Sequence, residues 1–222
     1  MQTVKDIRAK LIQKYIAEEF DIDRTGVKTI ELIGESFLVD EDWMIRKPNY
    51  DYIKRELEWY RSRSLKVDDI PGDVPSIWKS IASTKGEINS NYGYLVASEE
   101  NYNQYNAVWE ELTNNPNSRR ATMIYNRPTM HTDYKRDGMN DFVCTYANQF
   151  FIRNNKLISH YIMRSNCAVF GFNNDVAWAR YIQDKLACSL NIEVGDLIWT
   201  ASSFHVYERH FKHIERLIEN AN

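Results

Sequence analysis

The chain has 222 residues, carries 28 Lys and Arg against 31 Asp and Glu, and is 43% hydrophobic. This length and composition predict a folded chain with a sizeable core and exclude a disordered one. The formal charge of −3 argues against general binding to nucleic acid or to anionic membranes, so an anionic ligand has to be bound by a local group of arginines, which favours a small anion.

In the first half, the sequence predicts three helices and a hairpin. Val4, Ile7 and Leu11 recur at helical spacing, which predicts a helix that ends near Phe20. The stretch "DRTGVKTIELIGESFLVD" predicts a turn and then a hairpin that bends at Gly34. The stretch "NYDYIKRELEWYRSRS" carries a second helical stripe, and "ENYNQYNAVWEELT" predicts a third helix between loops that contain proline and asparagine.

The second half is predicted to be mostly strand. The stretches "DFVCTYANQFFIR" and "LISHYIMRS" flank "NNK" as a hairpin, and "NNDVAWARYIQDKLACSL" predicts a helix. A strand, "GDLIWTASSFHVY", and a closing helix, "ERHFKHIERLIEN", follow. No internal repeat, low-complexity tract or long linker divides the chain, so we predict a single α+β domain over residues 1–222.

Cysteine usage and the N-terminal segment predict a cytoplasmic protein. Cys144, Cys167 and Cys188 are odd in number and lack the spacing of metal-binding pairs or of a disulfide framework. The segment "MQTVKDIRAKL" is charged and amphipathic, and no run approaches the ~20 apolar residues of a membrane span. We therefore expect neither export nor membrane insertion.

Glu56 occupies an unusual helical position. At about 100° per residue it falls at the edge of the apolar stripe that contains Leu57 and Tyr60. A carboxylate held against a core is costly to ionise, so its pKa is expected to rise toward values useful in proton transfer. The alternative is a boundary glutamate that reaches solvent or pairs with Arg55 or Arg61.

Cys144 lies on a predicted strand among polar residues such as Asn148. A thiolate at this position could attack an electron-poor carbon, provided that a nearby cation lowers the pKa of the thiol. Arg164, on the paired strand, is the natural candidate for that cation. The alternative is that Cys144 is a small buried hydrophobic residue, as most free cysteines are.

Several arginines are candidate phosphate ligands, because they are predicted in loops or at strand ends and a planar guanidinium can bind phosphate bidentately. These residues are Arg24, Arg119, Arg120 and Arg164. Arg119 and Arg120 would face opposite ways on a strand, so one of them could serve a different chain. The alternative for each is a solvated charge.

Asp175 and the histidines near the C-terminus have competing interpretations. Asp175 begins a predicted helix, where it or one of the two preceding asparagines could be the N-cap. His205 would share a strand face with Tyr207, two residues away. Together with His210 and His213 it lacks a cysteine or carboxylate that would complete a metal site, so we expect no metal.

A series of segments resembles the thymidylate synthase family, and within it the branch that hydroxymethylates deoxycytidylate in T-even bacteriophages. In chain order they are "DRTGVKTIELIG", "RELEWYRSRS", "IWKSIASTKGEINSNYG", "NPNSRR", "FVCT", "MRSN", "VFGFNND" and "FHVY". They cover most of the chain. The resemblance implies a thymidylate synthase fold, a mixed sheet flanked by helices, with one face of the sheet used to form a homodimer.

The resemblance also implies a covalent mechanism and a set of roles. Cys144 is expected to add to C6 of a pyrimidine, which makes C5 able to attack the one-carbon unit of 5,10-methylenetetrahydrofolate. Glu56 is expected to organise water and protons around the base. The implied ligand contacts are Arg24, Arg164 and Ser165 with Arg119 and Arg120 of the partner subunit for phosphate, His205 and Tyr207 for the sugar hydroxyl, Gln149, Asn166 and Asp175 as further substrate contacts, and Trp78 with Cys167 for folate.

Asp175 distinguishes between substrates in this comparison. Thymidylate synthases carry asparagine here, whose amide can donate and accept at the uracil edge. Cytosine presents an amino group and an unprotonated N3, so a carboxylate can accept from the amine and share a proton with N3. The resemblance therefore implies a cytidine nucleotide, most closely dCMP, as the substrate.

Three departures from the synthase pattern bear on the product. Thr145 replaces the histidine that usually follows the nucleophile, and Cys167 stands where the family commonly has an aspartate that contacts the pterin. The chain also stops at "RLIENAN", so the tail that closes over folate in synthases is expected to be missing. A less sealed site favours water as the acceptor and hence 5-hydroxymethyl-dCMP as the product.

Alternatives remain open in the sequence. The chain could be a dCMP 5-methyltransferase, a hydroxymethylase of CMP, or a nucleotide-binding homologue without catalysis. In the main hypothesis the partners are the nucleotide, the folate co-substrate and a second subunit, with no metal, membrane or direct nucleic-acid partner. A phage-encoded enzyme of this kind would act in the cytoplasm of the infected bacterial cell.

Overall fold

A computed structural model describes residues 1–221. The helices are α1 Val4–Ile16, α2 Tyr50–Ser62, α3 Ser76–Ile81, α4 Tyr92–Ala97, α5 Gln104–Asn114, α6 Met130–Asp133, α7 Gly171–Leu190 and α8 Phe211–Ala221. The strands are β1 Gln2–Thr3, β2 Asp21–Ile22, β3 Lys28–Leu38, β4 Thr122–Ile124, β5 Thr145–Arg153, β6 Lys156–Met163, β7 Asn166–Cys167 and β8 Glu193–Tyr207. Within the described residues, no helix is both long and apolar enough to cross a membrane.

The strands form one mixed sheet in the order β1-β3-β8-β6-β5-β4. The central strand β8 is antiparallel to β3 and parallel to β6. On the other side of β6, β5 is antiparallel to both β6 and β4. The short strands β2 and β7 pair with β3 and β8. Helices pack against this sheet, which confirms the predicted α+β class.

The main core lies where α7 packs against β6 and β8. Trp178, Ile182 and Leu186 lie on the apolar stripe of α7 and are buried. From the sheet, Tyr161 and Trp199 stack with their ring centroids 4.7 Å apart. Full burial of a large apolar side chain contributes roughly 1.5–3 kcal/mol, so the three buried residues of α7 hold this helix on the sheet.

The hairpin predicted around "NNK" is confirmed. Asn154 and Asn155 form its turn with φ angles of 51° and 59°, a left-handed conformation that asparagine tolerates well. The strands pair from Arg153 opposite Lys156 onward. At the far end of the hairpin, the backbone N–H of Arg164 donates to the Cys144 carbonyl at 2.9 Å, so strand pairing alone brings these two residues together.

The predicted end of the first helix is wrong. α1 ends at Ile16 rather than near Phe20. Glu18 has a φ of 54°, a left-handed conformation that a helix cannot contain, so the chain turns away there.

The predicted bend at Gly34 is also wrong, because β3 runs on to Leu38. On either side of the glycine, Ile33 lies opposite Ser203 and Glu35 lies opposite Ala201, in the same register. Gly34 has a φ of 73°, which explains the glycine without a reversal of the chain.

Candidate active site

Glu56 is buried on the core face of α2, with 3% of its surface exposed. Its Oε1 accepts a hydrogen bond from the Tyr52 hydroxyl at 2.5 Å. Burial raises the pKa of Glu56 to about 7, although the Tyr52 hydroxyl opposes this shift. The alternative of a solvated or arginine-paired glutamate is wrong, and Arg55 instead pairs with Asp51 at 3.2 Å.

Trp78, on the short helix α3, hydrogen-bonds the same Tyr52 hydroxyl that binds Glu56. Its indole N–H donates to the Tyr52 hydroxyl at 2.8 Å, and its ring packs edge-on against Trp59 at 5.3 Å. Trp78 is half-buried. The wall predicted for folate is therefore connected to the glutamate predicted for proton transfer.

Cys144 directly precedes β5 rather than lying on it, which corrects the predicted position. Its Sγ lies 3.4 Å from Nη2 of Arg164, and the guanidinium also donates to the Phe142 and Val143 carbonyls at 2.5 and 3.0 Å. The expected cation is present, and it lowers the pKa of the thiol, but burial outweighs it and raises that pKa to about 11. Cys144 is therefore a protonated thiol at neutral pH in the free protein.

Asp175 lies within α7 rather than at its start. The helix begins at Gly171 and its N-cap, Phe170, makes no capping bond with its side chain, so the alternative of a capping aspartate is wrong. Oδ2 of Asp175 accepts from Nδ2 of Asn166 at 2.7 Å. Desolvation raises the pKa of Asp175 well above its ordinary value, and the nearby Glu56 carboxylate raises it further.

These groups form one recessed centre, defined here as Glu56, Cys144 and Asp175. The charge on Asp175 raises the pKa of Cys144, and the charge on Glu56 raises that of Asp175, so all three lie within electrostatic reach. Cys144 and Asp175 are partly exposed, whereas Glu56 is buried. A thiol, a carboxyl with a pKa of about 7 and a second carboxyl therefore lie close together, and two of the three side chains are partly exposed.

A cluster of buried hydroxyl groups lies next to the recessed centre and is hydrogen-bonded to Asp175. Thr145 donates to the Tyr92 hydroxyl at 2.9 Å and lies 3.2 Å from the Tyr161 hydroxyl. The Tyr92 hydroxyl in turn lowers the pKa of Asp175 through a hydrogen bond. Sequence reasoning did not identify Tyr92 or Tyr52. For Tyr52 a signal existed, because it lies four residues before Glu56 and so on the same helix face.

His205 and Tyr207 share a face of β8, as predicted, with ring centroids 4.7 Å apart. His205 is buried, and its Nδ1 lies 3.3 Å from the Ser203 hydroxyl. Burial lowers the pKa of His205, so the ring is neutral at pH 7. Its Nε2 is buried without a hydrogen-bond partner among the described residues, and the predicted contact with a sugar hydroxyl stays a prediction. Cys167 lies opposite His205 across the β7–β8 pair.

The exposed arginines, defined here as Arg24, Arg119 and Arg120, lie on the surface. Arg119 and Arg120 are in the loop before β4, not on a strand, and Arg120 pairs with Glu111 at 3.3 Å. Within the described part of the chain, none of the three bonds to the recessed centre.

Two further predicted substrate contacts differ in their surroundings. Ser165 is half-buried and directly follows Arg164. The side-chain amide of Gln149 donates to the Arg119 carbonyl at 2.7 Å, so its observed partner is the loop of the exposed arginines. Their roles toward substrate stay predictions.

Comparisons with known proteins find relatives that match most of the chain. The family profile described as thymidylate synthase matches residues 7–222. Deoxycytidylate 5-hydroxymethyltransferases of Enterobacteria phages T4 and T2 are each 51% identical over 216 residues, which span 94% of this chain and 88% of the phage protein. A thymidylate synthase of Francisella tularensis is 27% identical over 218 residues, or 90% of this chain and 80% of that protein.

A solved structure shares the fold. Thermostable thymidylate synthase A from Bacillus subtilis superposes with a TM-score of 0.74 at 22% identity, covering 98% of this chain and 84% of that one. At 22% identity this structural match supports the fold alone. Information about the reaction comes from the sequence relatives.

Proposed function

The chain belongs to the thymidylate synthase family, and on that basis we propose that it is a deoxycytidylate 5-hydroxymethyltransferase. It transfers a one-carbon unit from 5,10-methylenetetrahydrofolate to C5 of dCMP in place of the C5 hydrogen, releases tetrahydrofolate and adds water to the transferred carbon, giving 5-hydroxymethyl-dCMP. The identity to the phage enzymes over most of the chain supports this assignment. The same relatives favour action in the cytoplasm of a phage-infected bacterial cell.

The observation that carries the choice of cytosine is the Asp175 carboxyl beside Cys144. Asn166 donates to Oδ2 of this carboxyl and the Tyr92 hydroxyl also hydrogen-bonds it, so its orientation is set before a nucleotide binds. A carboxyl with a raised pKa can accept from the 4-amino group of cytosine and share a proton with N3. Uracil offers an N3–H and a carbonyl there, so a carboxylate would leave polar groups unpaired, and such mispairing discriminates strongly.

Cys144 is the nucleophile in this proposal. Its sulfur forms a bond to C6, the thiol proton passes to water, and the electron pair of the C5–C6 double bond moves to C5 and makes it nucleophilic. Because burial raises the pKa of the thiol to about 11, deprotonation has to accompany the attack rather than precede it. A proton that Asp175 shares with N3 makes the pyrimidine ring more electron-poor. This favours both the loss of the thiol proton and the attack of the sulfur on C6. The sulfur–carbon bond breaks at the end and restores the thiol.

Glu56 handles protons around C5. With a pKa of about 7 it is populated in both states at neutral pH, so it can take a proton from one water molecule and return it. In a hydroxymethylase the water adds to the exocyclic methylene carbon on C5, and a base that removes its proton favours this step. Glu56 therefore acts as the base for hydration.

The residues around Trp78 fit a folate co-substrate, which supplies the one-carbon unit. The indole ring has a fixed orientation because its N–H is bonded to Tyr52, and an aromatic face of this kind stacks on a flat heterocycle. Cys167 lies opposite His205, near enough to Cys144 for its charge to raise the pKa of that thiol. It brings no carboxylate to the pterin, so we expect Trp78 to supply most of the folate contact.

The phosphate is bound by Arg24, Arg164 and Ser165, with Arg119 and Arg120 of the partner subunit. The exposure of Arg24 and Arg119 supports this arrangement, because these two guanidinium groups are available to an incoming anion, whereas Arg120 would have to leave Glu111. His205 and Tyr207 hold the sugar hydroxyl, and Gln149 supports the arginine loop.

Homodimer formation is supported by large apolar side chains that the sheet exposes. Ile33 on β3 is 72% exposed, Ile124 on β4 is 59% exposed, and Tyr146 on β5 is 43% exposed. Exposed apolar groups on one sheet are typical of surfaces that a second copy covers.

The test is to incubate the protein with dCMP and methylenetetrahydrofolate and to weigh the nucleotide. A mass gain of CH2O supports the proposal, whereas a gain of CH2 would identify a dCMP 5-methyltransferase. CMP in place of dCMP tests the sugar preference. Binding of dCMP without exchange of its C5 hydrogen for solvent would identify a non-catalytic homologue.

A further inference from the structure

Tyr52 connects two residues of the proposed active site, Glu56 and Trp78, by hydrogen bonds. Its hydroxyl donates to Oε1 of Glu56 at 2.5 Å and accepts from the indole N–H of Trp78 at 2.8 Å. Tyr52 and Glu56 are four residues apart on α2, so they lie on one helix face. Trp78 reaches them from α3, so the Tyr52 hydroxyl connects α2 to α3 by a hydrogen bond, beside the edge-on contact of Trp59 with Trp78.

The direction of these two hydrogen bonds is fixed by chemistry. An indole N–H can only donate, so the tyrosine oxygen accepts from Trp78 and its own proton is left for Glu56. The Glu56 carboxyl must then accept, which its ionised form does better than its protonated form. The chain of donors runs from the predicted folate wall to the predicted base, and neither group can rotate without breaking it.

The Tyr52 ring is itself held in place. The Arg55 guanidinium lies 5.4 Å from its ring centroid. The same guanidinium donates to the Pro71 and Asp73 carbonyls at 2.8 and 3.0 Å, in the loop that leads into α3. The anchored Arg55 guanidinium thus restrains the Tyr52 ring, while Glu56 and Trp78 hydrogen-bond the Tyr52 hydroxyl.

We propose that Tyr52 is a positioning residue of this site: it holds the Glu56 carboxyl and the Trp78 indole as one hydrogen-bonded unit and favours the ionised, basic form of Glu56. The proposal rests on the proposed function, because it assumes that Glu56 moves protons during the reaction. In this proposal Tyr52 orients the Glu56 carboxyl and favours its ionised form. The same hydroxyl keeps the Trp78 indole next to that carboxyl.

The charged and titratable groups that face Glu56 are few. On α2 itself they are Tyr52 and Tyr60, from α7 there is Asp175, and α3 presents the neutral indole of Trp78. Burial raises the pKa of Glu56, whereas Tyr52 and Trp78 both lower it, and Tyr52 has the larger effect. Loss of the Tyr52 hydroxyl therefore leaves burial less opposed, so the pKa of Glu56 should rise.

The experiment is the variant Tyr52→Phe, which keeps the ring and removes the hydroxyl. We expect the acidic limb of the pH profile of kcat to move upward by about one pH unit, because a hydrogen bond to a charged group has an effect of that size. The KM for folate should rise together with this shift, since Trp78 loses its acceptor, while the KM for dCMP should change little. Tyr50→Phe is the matched control, because Tyr50 lies on the same helix and is 70% exposed.

A double-mutant cycle separates positioning from general damage. Trp78→Phe should shift the same pH limb by less, and Tyr52→Phe with Trp78→Phe should shift it by less than the sum of the two, because the groups act as a unit. Additive shifts would contradict the proposal. Thermal unfolding of each variant checks that the fold is retained.

A readout independent of turnover keeps this inference distinct from the proposed function. In protein with 13C-labelled glutamate carboxyl groups, the Glu56 signal is assigned by its loss in Glu56→Gln, and its pKa is measured by titration in wild type and in Tyr52→Phe. An unchanged pKa overturns the role of Tyr52 even if the enzyme makes 5-hydroxymethyl-dCMP. A raised pKa in a protein that does not convert dCMP would retain the coupling and refute the proposed function instead.

Discussion

The recessed centre and the exposed arginines differ in how the fold prepares them. Glu56 and Asp175 are bound by Tyr52 and Asn166, so the chain fixes their orientation without any ligand. Arg119, in contrast, is on an exposed loop and its side chain makes no hydrogen bond or ion pair within the described residues. The fold thus organises the proposed reactive groups in advance. In our proposal, the arginines of the substrate site become organised only when the substrate and a second subunit are present.

The difference follows from the free energy of burial. A carboxyl inside a protein has to be hydrogen-bonded, because an unpaired buried polar group costs about 1–3 kcal/mol. An exposed guanidinium remains hydrated and contributes little until it meets an anion. We therefore expect changes in the recessed centre to affect chemistry, specificity and stability, and changes in the exposed arginines to affect mainly substrate affinity.

The largest effect is expected at the nucleophile. Cys144→Ser replaces a soft thiol, whose sulfur can both add to C6 and leave, with a hydroxyl that is a poor nucleophile here. Turnover of dCMP and exchange of its C5 hydrogen should fall by at least about 10⁴-fold, while the Kd for dCMP changes only a few-fold. Rates are measured by product mass and by loss of tritium from C5.

Cys188→Ser is the control for this change, because Cys188 is an exposed cysteine at the far end of α7. It should retain wild-type turnover. If Cys144→Ser kept activity within tenfold of wild type, the recessed centre would not be the reactive region and the contrast with the arginines would fail.

The next largest effect is expected on the choice of base. Asp175→Asn replaces a carboxyl with an amide that can pair with the uracil edge. The ratio of kcat/KM for dCMP to that for dUMP should fall by about 10²-fold or more, since mispaired buried polar groups discriminate at this level. Competition assays with both nucleotides measure the ratio directly.

Asp184→Asn, the same substitution at an exposed position of α7, should leave the ratio unchanged. A ratio in Asp175→Asn equal to that of wild type would refute the assignment of Asp175 to the base, even if overall activity were lower.

A smaller effect is expected on stability at Glu56. Folding raises the pKa of this carboxyl from an ordinary 4.5 to about 7, so between these values the folded state binds the proton more strongly than the unfolded state. Stability contributed by the protonated group is present at low pH and is lost as the pH rises through 7. Relative to Glu56→Gln, wild type should therefore lose about 2–3 kcal/mol of unfolding free energy between pH 5 and pH 8.

Urea unfolding at the two pH values measures this difference. Glu58→Gln, at an exposed position of the same helix, should show no such change with pH. A Glu56→Gln protein that tracks wild type at both pH values would mean that the fold does not perturb this carboxyl, and the recessed centre would then resemble the exposed region in its electrostatics.

Local sequence patterns predicted the helices and turns whose signal is one periodic apolar stripe or one pair of turn residues. The stripe of Trp178, Ile182 and Leu186 predicted α7, and the two adjacent asparagines predicted the β5–β6 turn, because each signal is complete within one segment. The bend at Gly34 was wrong because glycine permits a positive φ inside a strand as well as in a turn.

The site was predicted less completely, because it depends on contacts between separate elements. The edge position of Glu56 on its helix indicated the raised pKa, since periodicity shows which face is buried. Periodicity could not show that Asn166 binds Asp175, or that Tyr52 receives the Trp78 indole, because β7 meets α7 and α2 meets α3 only in the packed fold. The assignments to substrate came from family resemblance and stay predictions.

The smallest effect is expected at Arg119, where the contrast between the two regions is most directly tested. Arg119→Ala removes one proposed phosphate ligand, so the KM for dCMP should rise by about tenfold with little change in kcat. Arg61→Ala, at an exposed position of α2, should leave both constants unchanged. If Arg119 serves the partner subunit, mixing Arg119→Ala with inactive Cys144→Ser creates dimers in which one site has both Cys144 and the partner's Arg119. That mixture should recover activity with the wild-type KM, whereas a site built within one chain would gain nothing from mixing.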